Sequence, residues 1–588
     1  MPGENLAALA EYEAAERDKK PQAQVLVELA EAVELWHAPD SEAFATFLEG
    51  RHIETWPLRS KGFRQWLIGR FYGAQGRPPS AQALQDALGV LEARAMFGGR
   101  EYAVFVRIGA LGDRVFLDLC DDEWRAVEVN ANGWHVTTAP PVKLRRTRGM
   151  LALPQPAKGG RIEELRPFLN VTDEQWPLVV AWLVAALHPS GPYPVLCLQG
   201  EQGSAKSTTA RVLRSLVDPN AAPLRTMPRD ERDLFIAATN SWCVVLDNVS
   251  GLAPWLSDGL CRLATGGGFA TRTLYENAEE TILAATRPVI LNGIDDVATR
   301  QDLLDRALIL NLPTIPDECR RDEASFWREW EKARPRVLAG LLDAVSCALR
   351  NVDRVRLDRM PRMADFAKWV VAAEPALPWP AGAFMDAYAG NRADAVELAL
   401  EADPVAQAVR QAAERGEWTG TASELLDELE QIAPEKVQHS RTWPTTARTL
   451  ANRLRRAATF LRALGVEVEF YREGHDRRRM VAVRKIEQPI VRNVREDATE
   501  AANPSATRVS PADDDADDVR TQTSYADANE ALSSAPIVRT ETQVRQGIPA
   551  FADAEDDADD DLPLSSLGRD VPPGDPAWSG APWREGGA

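Results

Sequence analysis

The chain has 588 residues, too long for one hydrophobic core, so several modules are expected. Its 45% hydrophobic and 27% charged residues are those of an ordinary folded protein, and a formal charge of -20, if evenly spread, would argue against a nucleic-acid partner. The charge is not evenly spread: residues 487–588 carry about 22 acidic and 8 basic groups, whereas 441–485 carry about 12 basic and 4 acidic ones.

Six scattered cysteines show no C-x-x-C pair and no histidine at zinc spacing, which excludes a structural zinc and fits a reducing compartment. The longest apolar run, 176–187, is too short to cross a bilayer, and the N-terminus has no signal-peptide pattern. A cytoplasmic protein with no membrane partner is expected.

Along the chain, the Ala-, Glu- and Leu-rich residues 1–56 read as helix, followed by a helix over 81–97. Period-two alternation then predicts strands over 102–108, 114–119 and 126–129, closing a small α+β module at 1–165. The Pro- and Gly-rich stretch 140–160 reads as a connector. Thr172 and Gln175 have capping-box spacing and open an apolar helix to 187. Strands at 195–198, 243–246, 289–291 and 307–310 alternate with helices at 206–217, 229–239 and 255–264, which predicts an α/β core with a parallel sheet over 166–315. Residues 316–400 read as a helical lid. Three helices and a basic hairpin at 401–486 have the order of a winged helix, and 487–588, lacking hydrophobic periodicity, read as a disordered acidic tail.

The strongest chemical signal is Gly200-Glu201-Gln202-Gly203-Ser204-Ala205-Lys206-Ser207-Thr208, between an apolar strand and a helix. Phosphate binding needs close backbone N–H donors, which Gly200 and Gly203 permit, a cation at Lys206 and a hydroxyl for Mg²⁺ at Ser207. ATP is the expected ligand, held by residues 200–208. Ala205 stands where the pattern has its second glycine, a small intrusion if the backbone there is helical. The apolar strand 243–246 ends at Asp247, where a carboxylate can hold Mg²⁺ beside the loop. Asn248 follows it instead of a second carboxylate, so Glu201 or a residue beyond Asp247 is left as general base. A third strand ends at Asn292, placed to orient a water near the γ-phosphate. Arg306, with Arg300 as the alternative, stands where a ring ATPase reaches into a neighbour's site.

The order of these motifs resembles the superfamily-3 helicase branch of the AAA+ ATPases, in particular the primase-helicase ATPases of phages and integrated elements, closely over 165–315 and loosely to 486. The resemblance implies a homo-hexameric ring hydrolysing ATP, with a hairpin between Asp247 and Asn292 gripping single-stranded DNA. The matching hairpin carries Arg272 as its one basic residue, while Glu276, Glu279 and Glu280 stand near the tip where the family has a cation. Residues 117–122 superficially resemble a primase metal motif but read as a strand end and turn, so any primase is a separate chain. Arg448, Arg453, Arg455, Arg456, Arg477, Arg478 and Arg479 in the winged unit form the candidate DNA surface, with duplex as the candidate partner there. The expected function is an ATP-driven replicative helicase; an initiator or loader that switches without unwinding and a scaffold that only binds ATP are the alternatives.

Overall fold

The computed structural model describes residues 20–272, 280–293, 300–401, 403–440, 443–474 and 477–486. The expected acidic tail lies outside these residues.

The N-terminal segment departs from the expected helix. After α1 (Gln22–Leu29) the chain forms an antiparallel sheet of β1 (Glu34–His37), β2 (Ala43–Glu49) and β3 (His52–Pro57). Alanine and glutamate favour helix locally, but the aromatics decide: Trp36 stacks on Phe44 at 4.6 Å, and its indole N–H donates to Thr46 Oγ1 at 2.9 Å. Residues 1–19 lie outside the description. Helices α2 (Lys61–Gln75) and α3 (Ala81–Gly98) follow, capped by the Ser60 and Ser80 hydroxyls.

The predicted strand over 102–108 is broken. β4 (Val104–Phe105) stops before Arg107, whose φ is 65°, and β5 (Ile108–Leu111) begins a four-stranded meander with β6 (Arg114–Asp118), β7 (Ala126–Asn130) and β8 (Gly133–Thr137). β9 (Lys143–Leu144) pairs with β4. This meander is no detached module. Its Ile108, Leu117 and Val127 share one buried cluster with Leu178, Leu196 and Leu341, and the predicted connector contributes Leu153 to it.

Thr172 and Gln175 exchange reciprocal hydrogen bonds, but they close a turn before the helix, and α4 (Trp176–Ala186) starts after them. The central sheet contains β10 (Val195–Gln199), β11 (Val244–Val249), β14 (Val289–Gly293) and β15 (Ala307–Asn311), in the order β11-β14-β10-β15 and all parallel. Alternate residues of β10 serve two cores: Leu196 and Leu198 pack with α4 and α5 (Lys206–Val217), and Val195 and Cys197 with α6 (Glu231–Thr239) and α7 (Pro254–Thr265). A sheet buried on both faces in this way presents its loops, and any site, at the carboxyl ends of its strands. Between β11 and β14 lies the antiparallel pair β12 (Gly268–Arg272) and β13 (Glu280–Ala284). Before β15 stands the short α8 (Gln301–Leu304).

Beyond the sheet run α9 (Glu323–Asn351), α10 (Ala364–Ala373) and α11 (Ala383–Glu401). The long α9 lies under the meander, where Trp134 donates to Asp343 at 2.8 Å and Ser346 to the Asn130 carbonyl at 2.7 Å. A separate buried cluster organises α12 (Pro404–Arg415), β16 (Trp418–Gly420), α13 (Ala422–Ile432), α14 (Glu435–Gln438), α15 (Ala447–Ala463), β17 (Val466–Glu473) and β18 (Arg478–Lys485). Its sheet is antiparallel in the order β16-β18-β17; β16 was not foreseen. Among the described residues no helix is long and apolar enough to cross a membrane.

Candidate functional site

The loop after β10 is shaped by two glycines and held from outside. Gly200 has φ of 140°, and a Cβ there would lie 2.6 Å from the Leu312 carbonyl oxygen. At Gly203, φ is 89° and a Cβ would meet Arg320 Nη2 at 3.3 Å, so a guanidinium already lies against the loop. Asn170 Nδ2 donates to the Ser204 carbonyl at 3.0 Å and to that of Pro313 at 2.6 Å, tying the loop to the end of β15. Thr314 Oγ1 donates to Glu201 Oε2 at 3.2 Å. Asn170, Thr314 and Arg320 escaped the sequence reading, because each reaches the loop from a distant segment with no motif of its own.

Ala205 corrects an expectation. Its backbone is left-handed, with φ 61° and ψ 29°, not helical, and α5 begins at the next residue. The methyl is therefore carried in a conformation that costs an L-residue about 1–2 kcal/mol, which glycine would avoid.

Lys206 Nζ donates to the carbonyls of Gly200 at 2.7 Å and Glu201 at 2.8 Å. Partial burial lowers its pKa, opposed by the nearby Asp247 charge. Ser204 is buried, its hydroxyl donating to the Glu201 carbonyl at 2.8 Å, and Thr208 lies half-buried in the first turn of α5.

Three strands bring their ends together. Ser207 Oγ donates to Asp247 Oδ1 at 3.0 Å, and Asn292 Nδ2 donates to Ser207 Oγ at 2.9 Å and also to Asp247 Oδ1. A register shift between Leu246 and Val249 places Asp247 at an irregularity of β11, the sort of defect that re-aims a side chain. Asn248 is exposed with φ of 55°. The Ser207 hydroxyl and Asp247 carboxylate are hard oxygen donors, the kind Mg²⁺ takes in ones and twos beside substrate phosphates and water.

The remaining candidates stand elsewhere. Arg306 has a side chain only 19% exposed, and its Nη1 donates to the Asp302 carbonyl at 2.7 Å within its own turn. Arg300 is 39% exposed, bonded to the Pro254 carbonyl at 2.8 Å and paired with Asp258 at 3.2 Å. Arg272 ends β12 opposite Glu280, and the tip with Glu276 and Glu279 lies outside the described residues.

In the C-terminal unit Arg453 turns inward to Asp403 at 3.0 Å, and Arg478 pairs with Glu424 at 3.0 Å. Arg448, Arg455, Arg456, Arg477 and Arg479 are exposed.

No curated protein matches the chain. Among solved structures, an A-form apo structure of the NrS-1 C-terminal region aligns over 79% of this chain and 98% of its own, at 12% identity and a TM-score of 0.36. Another apo structure of that region aligns over 79% and 100%, at 11% identity and 0.35. Residues 162–393 match the family model of the actinomycete integrative conjugative element replication protein, and 405–502 match that of the AICE RepA C-terminal domain. Side by side and in order, the two matches take in more than half of the chain, and both are to replication proteins of actinomycete integrative conjugative elements.

Proposed function

We propose that the chain is an ATPase that acts on DNA during replication of its mobile element, as a ring motor assembled from copies of itself. The observation that carries this reading is the convergence of Lys206, Ser207, Asp247 and Asn292 at the carboxyl ends of three parallel strands. In this reading residues 166–315 are an AAA+ core of the superfamily-3 kind, 316–400 its lid and 401–486 a winged helix.

The backbone N–H groups of 200–206, at the N-terminus of α5, receive the triphosphate. Lys206 exchanges the Gly200 and Glu201 carbonyls for the β and γ oxygens, where its charge offsets theirs. Ser207 and Asp247 are the residues to hold Mg²⁺, which supplies charge neutralisation on those oxygens when bound. Asn292, with its amide directed at both, is placed to orient the water whose oxygen attacks the γ-phosphorus as the bond to the bridging oxygen breaks, leaving ADP and phosphate. Arg300 or Arg306 would act in a neighbouring subunit's site, and any primase activity comes from a separate chain.

A second reading, an initiator or loader that binds DNA without unwinding it, is favoured by Glu276, Glu279 and Glu280, acidic residues in the segment where the resembled family carries a DNA-gripping cation. ATP hydrolysis by the full chain, with and without single-stranded DNA, and strand separation on a forked duplex test the proposal. Stimulated hydrolysis with unwinding supports the motor; ATP-dependent DNA binding without unwinding supports the switch; no turnover overturns both enzymatic readings.

A further inference from the structure

The arginines of the C-terminal unit fall into two groups. Arg453, Arg478 and Arg484 are matched by Asp403, by Glu424, and by Glu467 with Glu469. Arg448, Arg455, Arg472 and Arg479 instead line one groove of about 710 Å³ between α15 and the β17–β18 hairpin. No carboxylate lines it, and none of the four has an ion-pair partner among the described residues. Arg472 and Arg479 stand directly opposite each other in the strand ladder, both exposed. Like charges in that register repel, so the pair costs stability unless an anion comes between them.

The rest of the groove is apolar. Ala447 and Ala451, one turn apart, give α15 a wall without bulk, and Phe470, Met480 and Val481 contribute from the strands. Phe470 is half-buried, and the Arg455 guanidinium lies over its ring, 4.6 Å from the centroid. That face already carries one planar group, the guanidinium, which a base of similar shape would displace toward its flanking phosphate. A duplex offers a protein its phosphates and groove edges while its base faces stay stacked, so it could use the rim cations but not the aromatic floor. A single strand presents both phosphate charge and an unstacked base.

We propose that this groove binds single-stranded DNA, with an unpaired base stacked on Phe470 and the flanking phosphates held by Arg448, Arg455, Arg472 and Arg479. The inference rests on the reading of the chain as a DNA-acting protein and narrows it. No residue of the hairpin between Asp247 and Asn292 is among those lining the groove, and the site turns the C-terminal unit from a duplex reader into a strand holder.

The test is fluorescence anisotropy of the full chain with a labelled oligothymidine and, separately, a labelled duplex of equal length, over a range of salt. Phe470→Leu, which keeps an apolar side chain, should weaken oligothymidine binding about tenfold and leave the duplex unchanged. The double variant R472Q/R479Q should lower the salt slope for oligothymidine by about 1.4, the share of two phosphate contacts on a single strand, without lowering thermal stability, since it relieves repulsion. Should Phe470→Leu fold poorly, the arginine variant decides. Oligothymidine affinity unchanged in Phe470→Leu, equal losses on both DNAs, or an unchanged slope overturns the groove assignment while the DNA reading stands. If the unaltered chain binds neither DNA, both fall.

Discussion

Arg107 and Asp218, 111 residues apart, form an ion pair of 3.0 Å in which neither side chain is exposed. The guanidinium also donates to the carbonyls of Asp118, Leu151 and Pro219, and the other carboxylate oxygen accepts the N–H groups of Trp242 and Cys243 at 2.9 and 3.1 Å. The β5–β8 meander is thereby fastened to the end of α5 and the start of β11, the two elements that carry Lys206 and Asp247. Asp218→Ala strands a buried cation and two N–H groups and should cost about 3–5 kcal/mol in urea denaturation. Arg107→Met should cost a similar amount, with the double variant well short of the sum. A loss under about 1 kcal/mol in both single variants would show the pair to be dispensable.

Lys206→Ala should abolish tight ATP binding, because nothing else in the loop supplies a cation to the β and γ phosphates. Asp247→Asn should keep the nucleotide and lose Mg²⁺-dependent turnover. Isothermal titration with ATP and a phosphate-release assay separate the two effects; unchanged affinity in the first or normal release in the second relocates the site.

Position 205 can be tested through its backbone. Ala205→Gly removes the left-handed penalty but adds chain entropy, so stability should stay within about 1 kcal/mol and ATP affinity should be kept. Ala205→Val puts a β-branched residue at positive φ and should lose most ATP binding. Equal affinities in all three chains would mean that this turn does not shape the phosphate site.

If the ring forms, mixing subunits distinguishes the two arginines. Arg300 has the more exposed side chain, so Arg300→Ala subunits should reduce turnover by about 10³ or more, while adding Lys206→Ala subunits with intact Arg300 should restore part of it. Arg306→Ala, whose guanidinium serves its own turn, should act mainly on stability. The reverse result makes Arg306 the finger. Normal turnover in both, with a monomer in the presence of ATP, ends the ring model.

His188 gives a pH signature. Burial lowers its pKa below the ordinary 6.5, with the Ser190 carbonyl and Asp365 opposing, and its ring meets Trp369 edge-on at 4.2 Å. A depressed value means that the folded chain binds the proton less well than the unfolded one. Stability is therefore full above about 6.5 and falls as pH drops through that value toward the lower folded pKa. Thermal unfolding at pH 7.5 and 5.5 should show a smaller drop in His188→Gln than in the unaltered chain; equal drops would remove His188 as a contributor.

By itself the sequence determined those features that contiguous residues encode. The run Gly200–Thr208 between an apolar strand and a helix, the strand ending at Asp247 and the strand ending at Asn292 stand where their local pattern placed them, because β10, β11 and β14 are buried on both faces and read as continuous apolar runs. The helices of the C-terminal unit were legible for a similar reason, each carrying an apolar stripe of its own. What only the tertiary structure decided depends on partners far away in the chain. The abundance of Ala, Glu and Leu over 1–56 suggests helix, yet Trp36, Phe44 and Thr46 satisfy one another only across a sheet. Arg453 shares a helix with Arg448 and Arg455, yet it faces Asp403 because the 3.6-residue period turns it toward α12. The charge at Arg107, the guanidinium of Arg320 against Gly203 and the four arginines around Phe470 that lack an ion-pair partner among the described residues follow from distant strands and loops meeting, which residue type and spacing along the chain do not encode.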